Sequence, residues 1–159
     1  MLTRVLHFGV FVFQSLRRSV WFVTRPRTKG AHGIPLTPQG NVVLVTLSYA
    51  KGWRLPEGGH KTGEDPCEAM LRDLREEIGL TAHLGLIPIC GFDHRPDFRH
   101  GDATLFLVQG VKYRPRWSLE VRTVAEFSLS DLPHDIALVT LELLALAEPQ
   151  LRRSIPREN

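Results

Sequence analysis

A mixed α/β domain of the α+β kind is the fold class this sequence predicts, and three observations predict it. Short β-branched runs such as Val42-Val43-Leu44-Val45 mark buried strands. A helix with clear signals at both ends occupies 66–78, and a second, apolar helical run covers about 136–147. No internal repeat or low-complexity stretch interrupts this mixed order. The 159 residues suit one domain, long enough to bury a core without a disulfide or metal staple. A hydrophobic content of 43% with 23% charged residues excludes a disordered chain. No run approaches the roughly 18 apolar residues of a membrane span.

Taken in order, residues 1–28 form a basic, apolar N-terminal segment of expected helical character, 29–148 the domain, and 149–159 a solvated C-terminal tail. Within the domain, 29–38 and 41–49 read as strands joined by the turn dipeptide Gln39-Gly40. Residues 51–63 carry four glycines and one proline and read as a loop. Asp65 then serves as N-cap, Pro66 takes the first helical position, and Glu68 completes a capping box. Gly79 stops that helix. Strands are expected at 84–90, 104–111 and 121–127, with a loop over 92–102.

The net charge of +3 hides a division. Residues 1–56 hold eight basic side chains and no acidic one, so all 17 carboxylates lie beyond them. The N-terminal stretch resembles a signal peptide in length, but Arg17 and Arg18 follow it and no small-x-small cleavage site is present. Two readings remain for it. One is an element packed on the domain or on a homodimer partner. The other is a peripheral membrane anchor through residues 1–24, whose aromatic and aliphatic side chains are flanked by Arg17, Arg18, Arg25 and Arg27. Cys67 and Cys90 are too few and too far apart for a metal motif, and are expected as buried reduced thiols of a cytoplasmic protein.

On the helix 66–78, Cys67, Met70, Leu71, Leu74 and Ile78 fall on one stripe, while Asp73, Glu76 and Glu77 gather on another face. Carboxylates three and four residues apart on a helix repel one another. A hard divalent cation such as Mg²⁺, which takes oxygen ligands, accounts for them better than a solvated face of interleaved signs.

The spacing around this helix is more specific. From Gly58, five residues lead to Glu64, and seven more to Arg72-Asp73-Leu74-Arg75-Glu76-Glu77-Ile78-Gly79-Leu80. This run, 58–80, resembles the Nudix box, with Asp73 where the family has Glu. Trp53, Arg54, Leu55 and Pro56 before the box, and the segment 126–133 after it, also look like the family's flanks. The resemblance covers about residues 30–147. It implies a mixed β-sheet sandwiched between α-helices, Mg²⁺ or Mn²⁺ as cofactor, and hydrolysis of the pyrophosphate bond of a nucleoside diphosphate linked to another group. Carried over by position, Glu76 and Glu77 would be metal ligands, and Asp73 would replace the glutamate that binds metal or deprotonates water. Arg72 and Glu64 would pair to hold the helix against the loop. Gly58 and Gly59 would let the backbone approach substrate. A further carboxylate from outside the box would be Glu120 or Glu126. Arg95 and Arg99, with His94 and His100, stand in the 92–102 loop as candidate phosphate contacts.

Three departures carry weight. Asp73 retracts its carboxylate by about 1.5 Å, and displacements of about 1 Å can cost on the order of 100-fold in rate. A catalytically weakened nucleotide-binding or regulatory module is therefore the alternative reading. Glu57 stands where a glycine is frequent, and Lys61 where an acid is frequent. RNA as substrate is a lesser reading: the basic N-terminal region could track phosphate, but no aromatic–basic RNA-binding motif is present.

Overall fold

The computed structural model describes residues 27–61, 63–94 and 100–154. Residues 1–26 of the N-terminal segment, with its anchor and dimer readings, lie outside the described residues, as do Arg95 and Arg99; Arg27 and Thr28, expected in that helical segment, are extended instead.

Among the described residues, eight strands and three helices follow one another. They are β1 (Arg27–Pro35), β2 (Val42–Leu47), β3 (Glu57–Gly59), α1 (Pro66–Glu77), β4 (Leu80–Ala82), β5 (Gly85–His94), β6 (His100–Gln109), β7 (Lys112–Tyr113), β8 (Val121–Phe127), α2 (Leu138–Leu146) and α3 (Glu148–Ser154). The main sheet has the order β3-β1-β6-β5, with β1 and β6 parallel and the other pairs antiparallel. Two ribbons, β2-β8 and β4-β7, complete the mixed arrangement.

Side-chain alternation along the strands divides the core into two layers. Val43, Val45, Phe106 and Val108 face Met70, Leu74 and Ile78 of the α1 side. Their neighbours Val42, Leu44, Leu105 and Leu107 face Leu143, Leu144 and Leu151 of α2 and α3. The strands thus lie between helices on both faces, the layered α+β architecture expected.

Several boundaries differ from the sequence reading for physical reasons. The glycine-rich stretch is not all loop: Glu57–Gly59 is extended and pairs antiparallel with β1, Gly30 opposite Gly59. β5 and β6 reach into the expected 92–102 loop, pairing Phe92 with Ala103 and His94 with Gly101. The second helix starts at Leu138, because Ile136 is drawn into a bridge with Trp53. The expected tail continues as α3, held by buried Leu151 and by a bond from Gln109 Nε2 to Ser154 Oγ of 2.8 Å. Both cysteines are free thiols, partly rather than fully buried. No helix among the described residues is long and apolar enough to cross a membrane.

Candidate active site

The site is built where α1 packs on β3. The helix is set by its ends: the Asp65 carboxylate accepts from the N–H groups of Cys67 and Glu68 at 2.8 and 3.3 Å. At the other end Gly79 takes φ 73°. A side chain there would collide with the Arg114 carbonyl oxygen, so glycine is required twice over. Ala69, Met70, Leu71 and Leu74 bury the apolar stripe.

Arg72 ties the helix to the preceding loop. Its Nε–H donates to Glu64 Oε1 at 2.9 Å and its Nη2–H to Glu64 Oε2 at 3.1 Å, a two-pronged ion pair. Nη2 also donates to the Gly59 carbonyl at 2.9 Å, and Nη1 to Asp73 Oδ1 at 2.8 Å. Lys61 N–H closes the loop on Glu64 Oε2 at 2.8 Å. These bonds hold the Glu64 carboxyl down to a pKa of about 2, Arg72 contributing most.

The three acids of the helix do not share one environment. Asp73 is only 5% exposed, Glu77 is half-buried and Glu76 is exposed. Asp73 Oδ1 is taken by Arg72, while Oδ2 is buried without a hydrogen-bond partner. It rests against Gly58, where an added Cβ would fall 1.6 Å from Oδ2. Gly58 is therefore needed for space rather than for a special φ. The positive φ values of this region belong to Gly52 and Gly63 instead. No comparable crowding surrounds Gly59, whose Cβ would meet nothing closer than the Lys29 carbonyl at 3.9 Å.

Burial raises the Asp73 pKa to about 6, against the pull of Arg72 and with help from Glu76 and Glu64. Burial also holds Glu77 well above the ordinary carboxyl value. Glu57 adds to that rise, the Glu57 N–H bond to Glu77 Oε2 (3.2 Å) opposes it, and Asp73 and Glu120 add smaller repulsions. Glu126 turns elsewhere: it accepts from Tyr113 Oη at 3.1 Å and from Asn41 Nδ2 at 3.5 Å.

The donor set is all oxygen, and it fits a hard divalent cation. Buried like-charged carboxyls with an orphaned oxygen are neutralised either by a proton, which their raised pKa values favour, or by a cation at the open oxygen. Among the described residues no three His, Cys, Asp or Glu side chains converge on one preformed metal point. An ion such as Mg²⁺ keeps several of its waters and requires no closed protein cage.

The NUDIX domain profile matches residues 26–156. The chain belongs to the Nudix family. The match starts close to the described N-terminus and includes α3, beyond the reach of the box and its flanks. RNA pyrophosphohydrolase of Xanthomonas oryzae pv. oryzae is 62% identical over 49 residues, covering 30% of this chain and 24% of that protein. Nudix hydrolase 25 of Arabidopsis thaliana is 38% identical over 52 residues, 31% of this chain and 30% of that one. The chain therefore matches less than a third of the length of these curated relatives. The crystal structure of MutT NUDIX hydrolase from Burkholderia pseudomallei superposes with a TM-score of 0.66 over 76% of this chain and 98% of its own, at 23% identity. That likeness is one of fold.

Proposed function

We propose that this Nudix protein hydrolyses the pyrophosphate bond of a nucleoside diphosphate linked to a second group, with Mg²⁺ or Mn²⁺ held by Asp73, Glu76 and Glu77. Glu120 is the further carboxylate that this reading recruits. One observation carries the proposal: a buried, unpartnered Asp73 Oδ2 and a half-buried Glu77 face the same helix–strand seam in a box of matching spacing. A bound divalent cation supplies charge neutralisation for an anionic pyrophosphate and a water of lowered pKa. The chain's own residues do the rest. Arg72, locked to Glu64 and to the Gly59 carbonyl, fixes the loop relative to α1. Gly58 leaves room for Asp73 at the seam, so that Oδ2 is the oxygen left to accept a proton or a ligand. Gly59, with no side chain and open space around its α-carbon, offers backbone to an approaching phosphate. Arg95 and Arg99 remain proposed phosphate contacts. Two free thiols suit the cytoplasmic location this reading assumes.

A second substrate class has its own support. The RNA pyrophosphohydrolase of Xanthomonas oryzae pv. oryzae shares 62% identity over its matched 49 residues, and the first 56 residues carry eight basic side chains and no acidic one. A panel of sugar- and nucleoside-linked diphosphates, dinucleoside polyphosphates and 5′-triphosphorylated RNA, assayed with Mg²⁺ and with Mn²⁺, separates the two. Turnover of small substrates that is lost in Glu76→Gln and Glu77→Gln is the expected outcome. Turnover of the RNA alone selects the second reading. Inertness to the whole panel, restored by Asp73→Glu, would mean a weakened module.

A further inference from the structure

Two residues near the site have no role in the reading above. His32 of β1, 2% exposed, stands directly opposite Glu57 of β3. The bonds from Gly33 N–H to the Pro56 carbonyl and from His60 N–H to the Lys29 carbonyl, both 3.0 Å, fall on the pairs 33–56 and 29–60, which places 32–57 out of phase with the bonded pairs. His32 and Glu57 are thus a non-hydrogen-bonded pair, the kind whose side chains approach closest. His32 Nδ1 accordingly lies 3.3 Å from Glu57 Oε2, and the imidazole packs on Phe92 with ring centroids 5.3 Å apart. The same register turns the Glu57 N–H away from β1 to the free edge of β3, where it donates to Glu77 Oε2 at 3.2 Å. Alternation places Gly58 against Asp73 and the Glu57 side chain on the other side of the strand, so the two acids bracket β3.

We infer that Glu57 is an additional carboxylate of the cation-binding edge, and that His32 is a positioning residue that aims it. The inference rests on the cation site proposed above and extends it to a position where the box pattern frequently has glycine. The Glu57 side chain is 30% exposed, so a hydrated ion can reach it. A buried imidazole that holds a ligating carboxylate is an outer-shell device, and the loss of such partners typically costs about 10- to 100-fold in metal affinity. A neutral imidazole can donate from Nδ1 to the Glu57 carboxylate, and the 3.3 Å contact sets that carboxylate's orientation. The sequence marks Glu57 only as a departure from the box, and it gives His32 no signal, because its role exists only through the β1–β3 register.

The test is a Mn²⁺ titration of the full chain followed by electron paramagnetic resonance. The wild type should bind Mn²⁺, and Glu77→Gln should abolish binding. Glu57→Gln should weaken Kd by about 10-fold, and Glu57→Asp, which keeps the charge but retracts it, by less. His32→Leu should weaken binding several-fold, while His32→Gln, which retains an N–H donor, should stay near wild type. A Glu57→Gln protein that binds like wild type overturns the inference and leaves the cation site standing. A wild type that binds no Mn²⁺ overturns the functional reading on which the inference rests.

Discussion

Helix α1 begins on Asp65, whose side chain satisfies two backbone N–H groups, whereas α2 begins on Ala137 with no side-chain cap. The first helix hides an acid in its packed face: Asp73 is 5% exposed. The second shows leucines to the outside, Leu138 at 71% and Leu146 at 53% exposed. On α1 the caps and the glycine stop set the ends, and the Arg72 bonds to Glu64 and to the Gly59 carbonyl tie the helix to β3 and its loop. On α2 no side chain caps the start; bonds from Ala137 N–H and Thr140 Oγ1 to the Trp53 carbonyl tether it, and burial of Leu143, Leu144 and Ala147 against the sheet holds the rest. Chemistry needs the first kind of construction, because a carboxylate displaced by about 1 Å loses much of its effect. Packing a sheet needs only the second.

The comparison can be broken at either helix. The largest effect is expected from Leu143→Ala, which should cost about 2–5 kcal/mol of stability by opening a cavity under α2. Chemical denaturation should show that loss, while the Mn²⁺ affinity of the folded protein stays unchanged. Gly58→Ala should act in the opposite way. Its new Cβ must displace Asp73, so hydrolysis should fall by on the order of 100-fold, read as kcat/KM, with a smaller change in unfolding midpoint. Capping gives the finest contrast. Asp65→Ala should lose about 1 kcal/mol, and Ala137→Asp should gain up to about 1 kcal/mol by supplying the cap that α2 lacks. Acid should break the Arg72–Glu64 clamp only late. Because the folded pKa of Glu64 is depressed, its contribution is present above the ordinary glutamate range and is lost as pH falls through about 2. A carboxyl-carbon NMR titration that placed Glu64 near its ordinary value would remove the clamp from the account.

How much of this was legible in sequence follows from where each feature gets its cause. The ends of α1 and the span of β8 were readable, because caps and a β-branched run are local signals. β3 was not: a glycine pair looks like a loop, and only pairing with β1 holds it extended. α3 was missed because Pro149 and the arginines after Glu148 suggest an end, although proline is tolerated in a first helical turn. In the site, the spacing of Glu64, Arg72, Asp73, Glu76 and Glu77 identified the family. The burial of Asp73 depends on the missing side chain of Gly58 across the seam, and no helical wheel contains that strand. Glu120 and Glu126 likewise stay open in sequence, because the neighbours of a strand residue are set by pairing. In β8, Glu126 is taken by the Tyr113 hydroxyl.

The central claim is that the carboxylates of α1 act through a divalent cation on a pyrophosphate. The most direct test takes the most active substrate of the panel and follows its hydrolysis by the full chain, first in EDTA and then with Mg²⁺ restored, in wild type and in Glu77→Gln. Hydrolysis should vanish in EDTA, return with Mg²⁺ in the wild type, and fail to return in Glu77→Gln. Equal rates with and without the cation, or an undiminished Glu77→Gln protein, would contradict the account.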